Sequence, residues 1–307
     1  MKSKSERSQL ASLVIGSLCA FFMLLISAGT GYARPDMTPL GPNIADKGSA
    51  FYHFSVRTFD SADGQRHYKV WTGIPNKTPP KAGYPILYML DGNAVMDRLS
   101  DSLLEKASAE SPPVLVVIGY QTNLPFDLNA RAYDYTSAVT NNNGEPRRDG
   151  HGRSGGGSPA FRHLLEATIA PQAEQNLAIN PLKRGIWGHS YGGLFVLDAY
   201  LSSPFFTFYY SASPSLGRDN FQLLNEMTSV SKDRFSHKQL VLMEGNGDSR
   251  QDANTGPSAV LRAVRDTVSS LRASGVTATW ALFPGLTHGA MFTPSFQSAL
   301  LRLSEAP

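Results

Sequence analysis

A serine with a glycine two residues away on either side is the residue in this chain best set for nucleophilic chemistry. Gly188-His189-Ser190-Tyr191-Gly192 reads Gly-x-Ser-x-Gly, and the runs around it give the pattern its meaning. Residues 183–187 predict a short strand, and residues 194–200 predict a buried helix. In a strand–elbow–helix the serine sits in a tight turn, at a φ that an L-residue tolerates poorly. The flanking glycines remove side chains that would collide as the chain doubles back. Such a turn lifts the Ser190 hydroxyl clear of the sheet. It also puts the Tyr191 N–H at a helix N-terminus, where an oxyanion can be held. The plain alternative is an inert serine in a glycine-rich turn.

A serine nucleophile needs a base, and imidazole suits the task because its pKa lies near neutrality. His288, in Phe283-Pro284-Gly285-Leu286-Thr287-His288-Gly289, follows the last predicted strand, on the same edge as the elbow. In this arrangement the partners follow the serine in the chain, with histidine last. His53, His67, His163 and His237 lack such a setting, and His189, inside the elbow, is expected to shape the turn. An acid orienting His288 is expected after the strand at 239–243. Asp248 is the first choice and Glu244 the second. A backbone carbonyl in place of any carboxylate is the third option. A second oxyanion donor is expected from Leu90-Asp91-Gly92-Asn93-Ala94, where Gly92 permits close approach and Asn93 offers its N–H. No paired carboxylates, His/Cys cluster or phosphate-binding glycine loop competes with this site, so neither a metal nor a cofactor is expected.

The elements that must carry these residues are legible in outline. Residues 50–56 and 67–73 alternate as strands around an Asp63-Gly64 turn signal, which predicts an antiparallel hairpin. Thereafter the apolar runs at 84–90 and 114–118 read as strands buried on both faces, and 183–187, 205–212, 239–243 and 276–283 read as further strands. Helical spacing lies between or after them, after Asn93 and at 160–176, 194–200, 259–274 and 296–303. Eight strands, mostly parallel and covered by helices on both faces, make an α/β fold. One connection, residues 120–158, is long, polar and rich in Gly and Asn, as functional or solvated loops are.

Composition sets the outer bounds. The 307 residues are 41% hydrophobic and 17% charged, enough for a large core in one domain. Of the formal net charge of +3, Lys2, Lys4 and Arg7 against Glu6 supply +2 in the first 33 residues. The remainder is nearly neutral, which argues against a nucleic-acid partner. The basic start, the uncharged apolar run at 10–28 and the small residues of Gly31-Tyr32-Ala33 predict a signal peptide at 1–33, cleaved after Ala33. The expected result is a periplasmic domain at 34–307. An uncleaved membrane anchor is the alternative. Cys19 is the only cysteine and lies within the apolar run, so no disulfide and no thiolate chemistry are expected of the mature chain.

Taken with Leu90-Asp91-Gly92-Asn93, the elbow and 284–289, the chain resembles the esterase D-like group of α/β-hydrolases. Met243-Glu244-Gly245, residues 283–292 and Arg131-Ala132-Tyr133-Asp134-Tyr135-Thr136 narrow the likeness to the periplasmic trilactone esterases of enterobactin and salmochelin. It covers residues 40–304. The elbow is common to many hydrolases, whereas the His288 and Arg131 segments are more specific. The resemblance implies a substrate with three serine esters and three catecholate arms, loaded with ferric iron. It implies Ser190 as nucleophile, His288 as base, and the Asn93 and Tyr191 amides as oxyanion donors. Members of this group work with a serine–histidine pair, which counts against Asp248. Arg131 matches a family arginine near the substrate, where a guanidinium suits an anionic catecholate; a structural ion pair is the other reading. Two rival functions stay open: an esterase of feruloyl or carbohydrate esters, and a non-catalytic siderophore-binding protein on a hydrolase fold.

Overall fold

The computed structural model describes residues 35–140, 144–145, 147–219, 221–247 and 258–305. Contacts divide the chain into Met1–Asp36 and Met37–Pro307. The expected leader lies outside the described residues, and so does Asp248.

Eight strands form one sheet: β1 Tyr52–Asp60, β2 His67–Pro75, β3 Tyr84–Met89, β4 Val114–Tyr120, β5 Ile179–His189, β6 Phe208–Ala212, β7 Gln239–Gly245 and β8 Ala278–Phe283. Their order is β1-β2-β4-β3-β5-β6-β7-β8. The β1–β2 hairpin is antiparallel, and β2 also runs antiparallel to β4. Every other pairing is parallel, so the ends of β3, β5, β6, β7 and β8 share one edge. The expected α/β-hydrolase architecture is the observed one.

The described helices are α1 Ile44–Lys47, α2 Gly92–Arg98, α3 Asp101–Ala107, α4 Leu128–Asp134, α5 Ser158–Leu164, α6 Ala170–Ala173, α7 Tyr191–Ser202, α8 Gln222–Ser229, α9 Ala259–Ala273 and α10 Phe292–Glu305. A π turn, Leu165–Ile169, joins α5 to α6, where Pro171 has no N–H for the regular ladder. Strand alternation divides the core in two. Ile86, Tyr88, Val116, Ile118 and Ile186 face the apolar sides of α5, α7, α8 and α9. Leu87, Met89, Leu115, Val117 and Trp187 face α2, α3 and α10. In α10, Phe292, Phe296, Ala299, Leu300 and Leu303 recur at three- and four-residue steps and are all buried. Three of the elements just named, α1, α4 and α8, fall where no helix is expected from sequence. Of these, α4 occupies part of the long 120–158 connection.

Candidate active site

The elbow follows from its residues. Strand β5 ends at His189, α7 begins at Tyr191, and Ser190 between them adopts φ 62, ψ −114. A Cβ on Gly188 would strike the Gly192 backbone, so the turn closes only with hydrogen at that position. The Ser190 Oγ reaches His288, whose Nε2 lies 3.0 Å away. A second hydroxyl, Ser215 Oγ, is 2.9 Å from the same oxygen.

His288 is set by the elbow itself. The His189 ring is buried and packs 4.9 Å from the His288 ring, and its Nε2–H donates to the His288 carbonyl at 2.8 Å. Burial, with His288 and Arg131 nearby, holds the His189 pKa well below the usual imidazole range. His189 is therefore neutral and serves as a strut, as its place within the turn suggested.

The loop after β3 brings the other expected donor. Asp91 takes a left-handed conformation, φ 54, and turns the chain into α2. Asn93 is the second residue of that helix, where no preceding turn can accept its N–H. Its side chain is already committed: Nδ2 donates to Tyr120 O and Thr122 O, and Oδ1 accepts from Tyr120 N. Only its backbone N–H is left to face a ligand. Gly92 lets α2 sit against the end of β4, since a Cβ there would lie 2.6 Å from Ile118 C. The Tyr191 N–H is that of the first residue of α7, likewise within the first turn of its helix.

Arg131 forms a buried, two-pronged ion pair with Asp91, at 2.7 Å and 2.8 Å. Its Nη2 is also 3.5 Å from the His189 carbonyl. The guanidinium thus ties the β3 loop to the elbow, and its charge is matched by Asp91. Of the two readings the sequence left open, the structure contains the ion pair.

Glu244 is buried at the end of β7. Desolvation pushes its pKa up to about 8, opposed by the Ser213 hydroxyl. Its Oε1 has no hydrogen-bond partner, and no hydrogen bond joins it to His288. Beyond it, Asn246 Oδ1 accepts from Gly285 N at 2.6 Å and Gly247 N donates to Leu286 O at 2.8 Å. The β7 and β8 loops are therefore stitched together beneath His288. Asp248, the next residue in the chain, is outside the description.

Two neighbours of the site were not anticipated. Ser215 is one; its signal was a Ser211-Ala212-Ser213-Pro214-Ser215 run closing a predicted strand at the reactive edge. Asp149 is the other. It draws the polar connection over the elbow by accepting from the Tyr191 hydroxyl at 2.9 Å. Burial alone would raise its pKa, but the Arg153 and His151 N–H groups and the Tyr191 hydroxyl outweigh that and hold it low. Arg131 and Arg218 each lie over the Tyr191 ring, at 5.4 Å and 5.8 Å. Among the described residues no cluster of His, Cys, Asp and Glu is able to hold a metal.

Comparison with known proteins identifies the family. The Esterase family model matches residues 61–303. The apo-salmochelin esterase of Escherichia coli O6:H1 (strain CFT073) is 55% identical over 282 residues, covering 92% of this chain and 89% of that one. The solved enterobactin and salmochelin hydrolase IroE superposes with a TM-score of 0.76 at 55% identity, over 86% of this chain and all of that one. Its complex with DFP, a serine-hydrolase inhibitor, gives 0.77 at the same identity and coverage. The chain belongs to the Esterase family and is an α/β-hydrolase of the serine-esterase class.

Proposed function

We propose that the protein hydrolyses the trilactone ring of a catecholate siderophore of the enterobactin and salmochelin kind. The observation that carries this reading is the Ser190–His288 contact at 3.0 Å, on a chain 55% identical to an apo-salmochelin esterase. Ser190 attacks an ester carbonyl while His288 Nε2 takes the hydroxyl proton. The oxyanion forms between the N–H groups of Asn93 and Tyr191. Collapse breaks the ester, and His288 returns the proton to the departing serine hydroxyl of the substrate. Water then repeats the sequence on the acyl-enzyme and frees Ser190. Ser190 and His288 are the pair that exchanges the proton. Arg131 holds the two donor loops in register, and Arg218, over the Tyr191 ring, lends positive potential to a polyanionic substrate.

The substrate carries ferric iron as cargo. The enzyme acts in the periplasm after removal of residues 1–33, whose basic start and apolar run support export. Sequencing the N-terminus of periplasmic material should return Arg34. A full-length chain in the membrane fraction would make residues 10–28 an anchor.

Turnover decides the substrate. Apo-enterobactin, its ferric complex and a feruloyl ester are each incubated with the protein, and products are identified by mass. Ferric enterobactin opened to linear serine-ester products is the expected result. Preference for the feruloyl ester would move the protein to another esterase class. Binding of the siderophore without any hydrolysis would make it a carrier.

A further inference from the structure

The segment leaving β6 grips Ser190 at three points. Ser190 N donates to Ala212 O at 3.0 Å, Ser215 N donates to Ser190 O at 3.2 Å, and the two hydroxyl oxygens are 2.9 Å apart. The grip is anchored. Ser213 turns the chain with φ 37, its N–H bonded to Met243 O at 2.8 Å, and Ser211 Oγ donates to Gly193 O at 2.9 Å. Ser215 Oγ is thereby fixed against the reacting oxygen by its own backbone.

Proton counting assigns the direction of that contact. Ser190 Oγ has one proton and two polar neighbours, His288 Nε2 and Ser215 Oγ. The nucleophile is primed only when its proton points to His288. Ser215 must then be the donor to Ser190. We propose that Ser215 is a further catalytic residue, donating to Ser190 Oγ throughout the cycle and acting chiefly in deacylation. This rests on the reading of Ser190 as nucleophile.

The bond has opposite effects in the two halves of the reaction. During acylation a donor on Oγ lowers its nucleophilicity while stabilising the charge left as its proton moves to His288, and the two effects largely offset. In the acyl-enzyme, Oγ is the ester oxygen. A donor there withdraws electron density from the carbonyl that water attacks. It then stabilises Oγ as the C–Oγ bond breaks, before His288 returns the proton taken from water. Ser215 keeps its own proton at every stage. This second donor is separate from the oxyanion hole, which serves the carbonyl oxygen.

The test uses 4-nitrophenyl butyrate, whose good leaving group makes acylation fast and deacylation slow. Rapid mixing separates the burst of nitrophenolate from the steady state. Ser215→Ala should lower the steady-state rate about five- to tenfold, as loss of one hydrogen bond to a charge-bearing oxygen does. The burst rate should change by about twofold or less. Intact mass should show butyryl-Ser190 accumulating in the variant. Ser215→Thr, which keeps the hydroxyl, should recover most of the loss. A Ser215→Ala steady state equal to wild type would overturn the proposal. So would a burst slowed as much as the steady state, which marks mere misplacement of Ser190, or a threonine variant no better than alanine. Absence of any acyl adduct on wild-type Ser190 would instead overturn the nucleophile assignment beneath it.

Discussion

At the scale of single residues the site centres on the Ser190 hydroxyl and the His288 imidazole, whose carrier loop is held by the neutral His189. Glu244 has the right residue type and the right strand, yet its carboxyl makes no hydrogen bond to His288 and is strongly desolvated. Glu244→Gln should leave kcat within about threefold of wild type, since no contact with the base is lost. If the site works as a Ser190–His288 pair, Asp248→Asn should cost about tenfold or less. The pH profile should still report one group titrating near neutrality. A loss approaching ~10⁴-fold, with fold and affinity intact, would establish a triad completed by Asp248.

At the scale of elements, two loops must meet: the β3–α2 turn and the β5–α7 elbow. Arg131, delivered by the seven-residue helix α4, joins them. Arg131→Met should strand Asp91 as an unpaired buried charge and lower stability by about 3–5 kcal/mol. Denaturant titration measures that loss, and kcat should fall with it as the donor loops lose register. A variant as stable as wild type would show that Asp91 finds water or another partner. The helix α4 also marks where sequence reading stopped. Long periodic segments such as α9 and α10, and apolar strands such as β3 and β4, declare themselves because many residues repeat one pattern. A seven-residue helix such as α4 spans two turns, too few for its period to rise above the polar connection around it. The elbow, His288 and the β3 loop were legible because glycines and chain order announce them. The partner of Arg131, the Asp149–Tyr191 bond and the Ser215 contact were not, because each joins residues at least 25 positions apart.

At the scale of the whole molecule, buried carboxyls set a pH dependence. Burial raises Glu244 to about 8 and Asp134 to about 6, the latter opposed by Tyr68, Arg66 and Tyr120. A carboxyl raised on folding binds its proton more tightly in the folded state. Its stabilising contribution is complete below the unfolded value, near 4, and is lost as pH rises through the folded value. Glu244→Gln removes one such group. Its melting temperature should therefore gain on wild type by several degrees between pH 5 and pH 9. A gap that stays constant across that range would mean Glu244 ionises as it does in water.

The central claim is that hydrolysis runs through Ser190, raised on its turn against His288. Mapping the adduct of a fluorophosphonate probe by peptide mass spectrometry tests it most directly. The account requires a single modified residue, Ser190, with labelling and turnover both abolished in Ser190→Ala. A probe bound to another residue, or a Ser190→Ala protein retaining about a tenth or more of wild-type turnover, would contradict it.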